Sequence, residues 1–131
     1  MRHLLLATVT LLLAACGEGE PILPADGVLP DGGRYRGTLV DGLIQGDGRI
    51  DYPDGSFYQG PFRNGRRHGE GLWQAANGDR YEGEWLNDMA HGQGTKTTAD
   101  GRSYTGTWNN GCLREGERWS TAGATREQCG F

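Results

Sequence analysis

Past residue 15 the chain has no apolar run long enough to span a bilayer, so no membrane-spanning helix is expected beyond that point. Positive charge is in deficit. Thirteen Lys and Arg stand against 17 Asp and Glu, a net charge of −4, which argues against a nucleic-acid partner. Histidine is scarce at three residues, and His3 lies in the leader-like start. His68 and His91 have no carboxylates or thiols at ligand spacing, so they read as structural and no metal site is expected. No Ser-His-Asp constellation, nucleophile motif or lone tuned carboxylate stands out, so neither catalytic residues nor a cofactor are expected. Glu70, Glu82, Glu84, Asp47 and Asp51 read as a solvated face. The pairs Gly46/Gly48, Gly69/Gly71 and Gly92/Gly94 spell Gly-x-Gly, but no helix follows to aim amides at a phosphate. Cysteine is also sparse, and three is an awkward number for an exported chain.

What is present begins with "MRHLLLATVTLLLAAC". One Arg precedes an apolar run from Leu4 to Ala15, too short for a span and right for a secretory leader. Its end, Leu13-Ala14-Ala15-Cys16, resembles the bacterial lipobox. That resemblance implies a signal peptide over 1–15, acylation of Cys16 (palmitate being a usual chain), and anchoring to a membrane. Gly17 rather than Asp at the next position implies outer-membrane sorting in a Gram-negative envelope. An ordinary signal peptide with an incidental Cys is the plainer alternative. Residues 16–30, with three Pro and several Gly, read as a tether whose Val28-Leu29 could add a short flanking strand. Lipidation of Cys16 leaves Cys112 and Cys129. An oxidising compartment would permit a disulfide between them, worth about 3 kcal/mol by loop closure; two reduced thiols are the other option.

The remainder is periodic. Tyr35, Tyr58, Tyr81 and Tyr104 are 23 residues apart, and Gly37, Gly60, Gly83 and Gly106 follow each by two. Leu39, Phe62, Trp85 and Trp108 follow by two more. Asp31-Gly32, Asp54-Gly55, Asn77-Gly78 and Asp100-Gly101 keep the same phase, as do the Gly-x-Gly pairs. Alternation along a strand puts Tyr, Gly and the large apolar residue on one face. Asp-Gly and Asn-Gly are hairpin-turn signals. A second turn in each unit falls at Asp41-Gly42, Asn64-Gly65, Asn87-Asp88 and Asn110-Gly111. Two turns per 23 residues leave two strands of ordinary length, so the expected fold is all-β. The chain is expected to run as a single antiparallel meander of tandem β-hairpins.

"DGSFYQGPFRNGRRHGEG" and "NGDRYEGEWLNDMAHGQG" resemble MORN repeats (membrane occupation and recognition nexus). The resemblance runs over about residues 31–116 and implies stacked hairpins forming an elongated, twisted, single-layer antiparallel sheet that acts as a scaffold or interaction module. Departures are Leu39 for the aromatic, Gln45 for the His, Asp88 for the loop Gly, and Arg114, Glu115 and Glu117 for the His and glycine pair of the fourth unit. Trp119 lies 46 residues after Trp73, which predicts that the register survives into a repeat domain over 31–124. "EQCGF" at 127–131 echoes Tyr-x-Gly-x-Trp and predicts a cap strand over 125–131, pinned through Cys112 and Cys129.

These readings converge on a non-enzymatic, lipid-anchored envelope protein with repeats that scaffold a protein partner. The expected working surface is the aromatic face, Tyr58, Phe62, Tyr81, Trp85, Tyr104 and Trp108, because a single layer has no second sheet to bury it against. The plain alternative is that the rings hold the sheet together. Arg63, Arg66 and Arg67 are an auxiliary contact, because their repeat equivalents are apolar or neutral; a solvated loop is the plainer reading. The competing function is recognition of a non-protein envelope ligand, an anionic lipid headgroup or a glycan, through the same face and loop. Self-association through the sheet edge or aromatic face is a further partner option.

Overall fold

The computed structural model describes residues 27–131. The expected signal peptide, the expected acylation site Cys16 and most of the expected tether lie outside the described residues. The described residues form ten strands: β1 (Arg34–Val40), β2 (Leu43–Asp51), β3 (Phe57–Arg63), β4 (Arg66–Arg67), β5 (Gly69–Gln74), β6 (Arg80–Leu86), β7 (Met89–Thr97), β8 (Ser103–Trp108), β9 (Cys112–Glu115) and β10 (Arg118–Thr121). Among the described residues there is no helix. The main sheet runs β1-β2-β3-β5-β6-β7-β8 in chain order, with β4 continuing the hairpin from β3 and every pairing antiparallel. It is the meander that the 23-residue phase requires.

Two kinds of turn alternate. At the β1–β2, β3–β4, β6–β7 and β8–β9 tips both central residues have positive φ: Asp41 and Gly42, Asn64 and Gly65, Asn87 and Asp88, Asn110 and Gly111. This backbone twist matches the twist of the flanking strands. At the other end only the glycine is left-handed. There Gly55 N–H donates to Tyr52 O at 3.1 Å and Tyr52 N–H to Ser56 O at 2.9 Å, with Pro53 at the position whose φ it presets. The tips also join neighbouring units. Gly65 N–H donates to Ile44 O, Asp88 N–H to Arg67 O and Gly111 N–H to Ala90 O, at 2.7–3.2 Å. The three later tips therefore fold back onto the previous unit and each satisfies a carbonyl there.

The repeat histidine serves this joint. His91 Nδ1 accepts the Asn110 N–H at 3.2 Å, and Gln45 Oε1, one of the departures, accepts the equivalent Asn64 N–H at 2.6 Å. The position needs an acceptor beside the next tip, and an amide oxygen supplies it as an imidazole nitrogen does.

At the start, Val28 bridges to Arg34 and Tyr35 N–H donates to Gly27 O, a short flank to β1. The other end departs from the repeat pattern. The sheet stops at Trp108, and β9 and β10 form a separate two-stranded ribbon in which Trp119 faces Arg114. Residues 125–131 are not a cap strand but a compact turn, with Cys129 N–H bonded to Thr125 O and Phe131 N–H to Arg126 O. The cause lies in the glycine pair. In each earlier unit the second glycine leaves room for the preceding tyrosine ring. Glu115 and Glu117 occupy those columns in the fourth unit, where in a continued sheet a Cβ would stand in the space the Tyr104 ring needs, as it would at Gly48, Gly71 and Gly94 for the earlier tyrosines. Cys112 and Cys129 are joined by a disulfide that ties the terminal turn to β9.

Candidate functional site

The tyrosines lie flat on glycine. A Cβ built on Gly71 would meet the Tyr58 ring, with Cζ at 2.6 Å, and one on Gly48 would stand 2.5 Å from Tyr35 Oη. Each hydroxyl then reaches a carbonyl three residues on: Tyr35 to Thr38 at 2.7 Å, Tyr58 to Pro61 at 3.0 Å, Tyr81 to Glu84 at 2.9 Å. The indoles close the unit from the next repeat. Trp85 Nε1–H donates to Gly71 O at 3.2 Å and Trp108 Nε1–H to Gly94 O at 3.0 Å. Edge-to-face contacts link the rings in one zigzag, Tyr35–Phe62–Tyr58–Trp85–Tyr81–Trp108, with centroids 5.0–5.6 Å apart. Such pairs are the favoured aromatic geometry.

This corrects the expected docking face. Tyr58, Tyr81, Phe62, Trp85 and Trp108 are at most 4% exposed. A single layer buries them after all, because the tyrosines lie on a glycine floor and each ring packs edge-to-face on its neighbours in the zigzag. Only Tyr104 of the six remains half-buried, since no following aromatic covers it. The rings are the core, and a partner does not reach them in this state.

Burial also raises the pKa of these phenols. Tyr58 and Tyr81 are pushed far above the ordinary value, by desolvation first and, for Tyr81, by the nearby Glu84 charge. Between the ordinary phenol value of 10.0 and the raised one, the unfolded chain has released protons that the folded chain retains. Stability is therefore full below about pH 10 and falls as pH rises above it. Alkaline titration should show unfolding and tyrosinate absorbance of Tyr58 and Tyr81 appearing together. Tyrosinate growth completed while the fold persists would contradict the burial.

The arginine trio separates. Arg63 and Arg66 face each other across the β3–β4 hairpin and are exposed. Arg67 turns inward. Its backbone N–H and Nε reach Asp88 Oδ1 at 2.9 and 3.3 Å, its Nη2 donates to Asp88 O at 2.7 Å, and its guanidinium lies 4.5 Å from the Trp85 ring. Arg67 is thus corrected from an auxiliary contact to a core residue. The signal was present in its column: Ile44, Ala90 and Leu113 are all buried. Asp88 explains itself in the same way. It holds a left-handed φ of 72° that glycine would take more easily, and its carboxylate secures Arg67.

The opposite face is open. A trough of about 690 Å³ runs across β3, β5, β6, β7 and β8, floored by Gly60, Gly71, Gly83 and Gly94. Its walls include Gln59, Leu72 and Glu82 and, toward β8, Thr95 and Thr105, whose hydroxyls bond at 2.9 Å. Glu70 and Glu84 stand directly opposite on paired strands. Glu84 turns its carboxylate to the Gln93 N–H at 2.5 Å, while Glu82 meets Arg80 at 3.6 Å. Like charges so placed oppose the pairing. Sequence reading assigned these carboxylates to a solvated face and missed the trough, because columns of glycine mark it only once both strands are paired. Among the described residues no group of His, Cys, Asp or Glu could hold a metal.

A hairpin array with its rings sealed inside and a shallow groove outside is the architecture of a tandem β-repeat protein. The sequence model of the MORN repeat matches residues 35–57, 58–80 and 81–101, just over half of the chain. The chain belongs to the MORN-repeat family, and MORN repeats are generally interaction modules. No curated protein matches the chain.

Proposed function

We propose that this chain is a lipid-anchored envelope protein, held by acyl chains on Cys16 at the outer membrane, whose repeats present the glycine-floored trough to a protein partner. The observation that carries this reading is the division between the faces. One face is consumed by the ring zigzag, and the other offers a preformed, solvent-open groove walled by polar side chains. Membrane attachment comes from the lipid, so the repeats are left for docking. A non-catalytic role agrees with the family, whose proteins are typically binding scaffolds. The competing reading, an anionic headgroup or glycan as ligand, keeps one specific support. Arg63 and Arg66 are exposed side by side and bear no carboxylate partner among the described residues.

One experiment on the native protein separates these. Mass analysis of the N-terminal peptide reads acylation at Cys16. Chemical footprinting with and without captured partner reads the surface. Protection at Gln59, Leu72 and Thr105 supports trough docking. Protection confined to Arg63 and Arg66 supports the competing reading. An unmodified Cys16 removes the anchor.

A further inference from the structure

Lys96 is the chain's only lysine, and its place is unusual. The column it occupies holds Ile50, Trp73 and Trp119 at the other repeats. In β7 it stands between Tyr81 and Tyr104 in the cross-strand register. Its side chain is 13% exposed. The ammonium makes one good bond, to Thr121 O at 2.7 Å, and lies 3.9 Å from an Asp79 carboxylate oxygen. Burial pushes its pKa below the usual lysine value, with Asp79 opposing. An apolar residue would serve the fold here with no desolvation cost.

Lys96 lines a cavity of about 420 Å³ shared with residues of the β7–β8 hairpin and β10. Arg102 and Arg118 line it too, against a single carboxylate, Glu117. Arg118 is held in place, donating to Ser103 O at 2.7 Å with its guanidinium 5.0 Å from the Tyr104 ring. Arg102 is steadied by Asp100 at 3.0 Å. Thr98, Ser120 and Thr121 add hydroxyls to the wall. Three cations line it against one carboxylate. Asp79 and Asp100, outside the lining, offset Lys96 and Arg102. This leaves the Arg118 guanidinium without a carboxylate partner among the described residues and suited to an anion. Glu117 and the hydroxyls suit a ligand that also carries hydroxyl groups, because a bare anion would leave the Glu117 acceptor facing its own charge. The cavity has the size of a small-ligand site with a few convergent polar groups.

We propose that this cavity binds an anionic sugar unit, its phosphate or carboxylate held by Lys96 and Arg118 and its hydroxyls by Glu117 and the threonines. The site lies apart from the trough and does not rest on the scaffold reading.

The test exploits the single lysine. Reductive methylation of the full chain is followed at Lys96 by mass spectrometry, alongside calorimetric titration. The probes are glucose 6-phosphate, glucuronate, glucose and inorganic phosphate. At least one of the sugar anions should protect Lys96 and bind about tenfold more tightly than either glucose or inorganic phosphate. Which one does so distinguishes a phosphorylated from a uronic-acid source. Lys96→Met should weaken that binding at least about tenfold while the melting midpoint holds or rises, and Lys96→Arg should retain it. If Lys96→Met does not fold, Arg118→Gln, at an exposed position, carries the same comparison. No saturable sugar-anion binding up to roughly 10 mM, inorganic phosphate binding equally well, or binding indifferent to the variants would each overturn the site.

Discussion

Replacing Trp85 by Ala should cost about 4 kcal/mol and lower the melting midpoint by roughly 15–25 °C. Trp85 is 2% exposed and joins two repeats at once. Its ring meets Tyr58 at 5.4 Å and Tyr81 at 5.1 Å, and its indole N–H closes on Gly71 O. It also carries the Arg67 guanidinium, so truncation leaves Arg67 and Asp88 without their wall. Repeat arrays derive stability from nearest-neighbour interfaces, and this substitution removes the interface at the centre of the array. Trp119→Ala is the matched control. That ring is 40% exposed and packs only on the terminal turn, against Phe131 at 4.9 Å and under Arg126 at 4.7 Å. Its loss should cost about 1 kcal/mol. Equal midpoints for the two variants, read by near-ultraviolet circular dichroism on heating, would remove the ring zigzag as the source of stability.

The strands, their order and the shared face of Tyr, Gly and Trp were legible from the 23-residue phase, because alternation and turn chemistry are local. Accessibility of that face was not. It depends on a tyrosine lying down across a partner strand, and the sequence pairs Tyr81 with Gly94 only through the register of β6 and β7. The bulges between Gly37 and Leu39 and between Gly83 and Trp85 shift that register locally, and no spacing rule announces them. The inward turn of Arg67 was legible in its column and was outweighed by its neighbours Arg63 and Arg66. The fourth unit shows a different limit. Its Trp119 keeps the period, and period alone predicts a continued meander. Glu115 and Glu117 stand where only a glycine pair leaves the tyrosine its space, so steric exclusion rather than phase ends the sheet. Lys96 was silent in the sequence because a lone cation in an apolar column has meaning only once a cavity faces it.

Gly94→Ala tests that exclusion directly and should destabilise by about 3 kcal/mol. Gly94 has no left-handed φ, so an added methyl is not opposed by its own backbone. What opposes it is Tyr81. The new Cβ would stand 2.5 Å from Cζ and closer still to the hydroxyl oxygen. The ring cannot simply swing away, since it is fully buried between Trp85 and Trp108 and its hydroxyl is bonded to Glu84 O. Gly101→Ala supplies the contrast. That glycine does have a left-handed φ of 88°, with nothing within 4 Å of an added Cβ. Its cost is backbone strain alone, about 1 kcal/mol. The two variants thus invert the usual expectation that the strained glycine is the intolerant one. A double-mutant cycle with Tyr81→Phe then locates the cause. Removing the hydroxyl takes away the nearest atom, so Gly94→Ala should cost less in the Tyr81→Phe background than in the native one. A cost unchanged by Tyr81→Phe, or smaller than that of Gly101→Ala, would mean that the tyrosine does not set the need for glycine. The explanation of the broken fourth unit by Glu117 would fall with it.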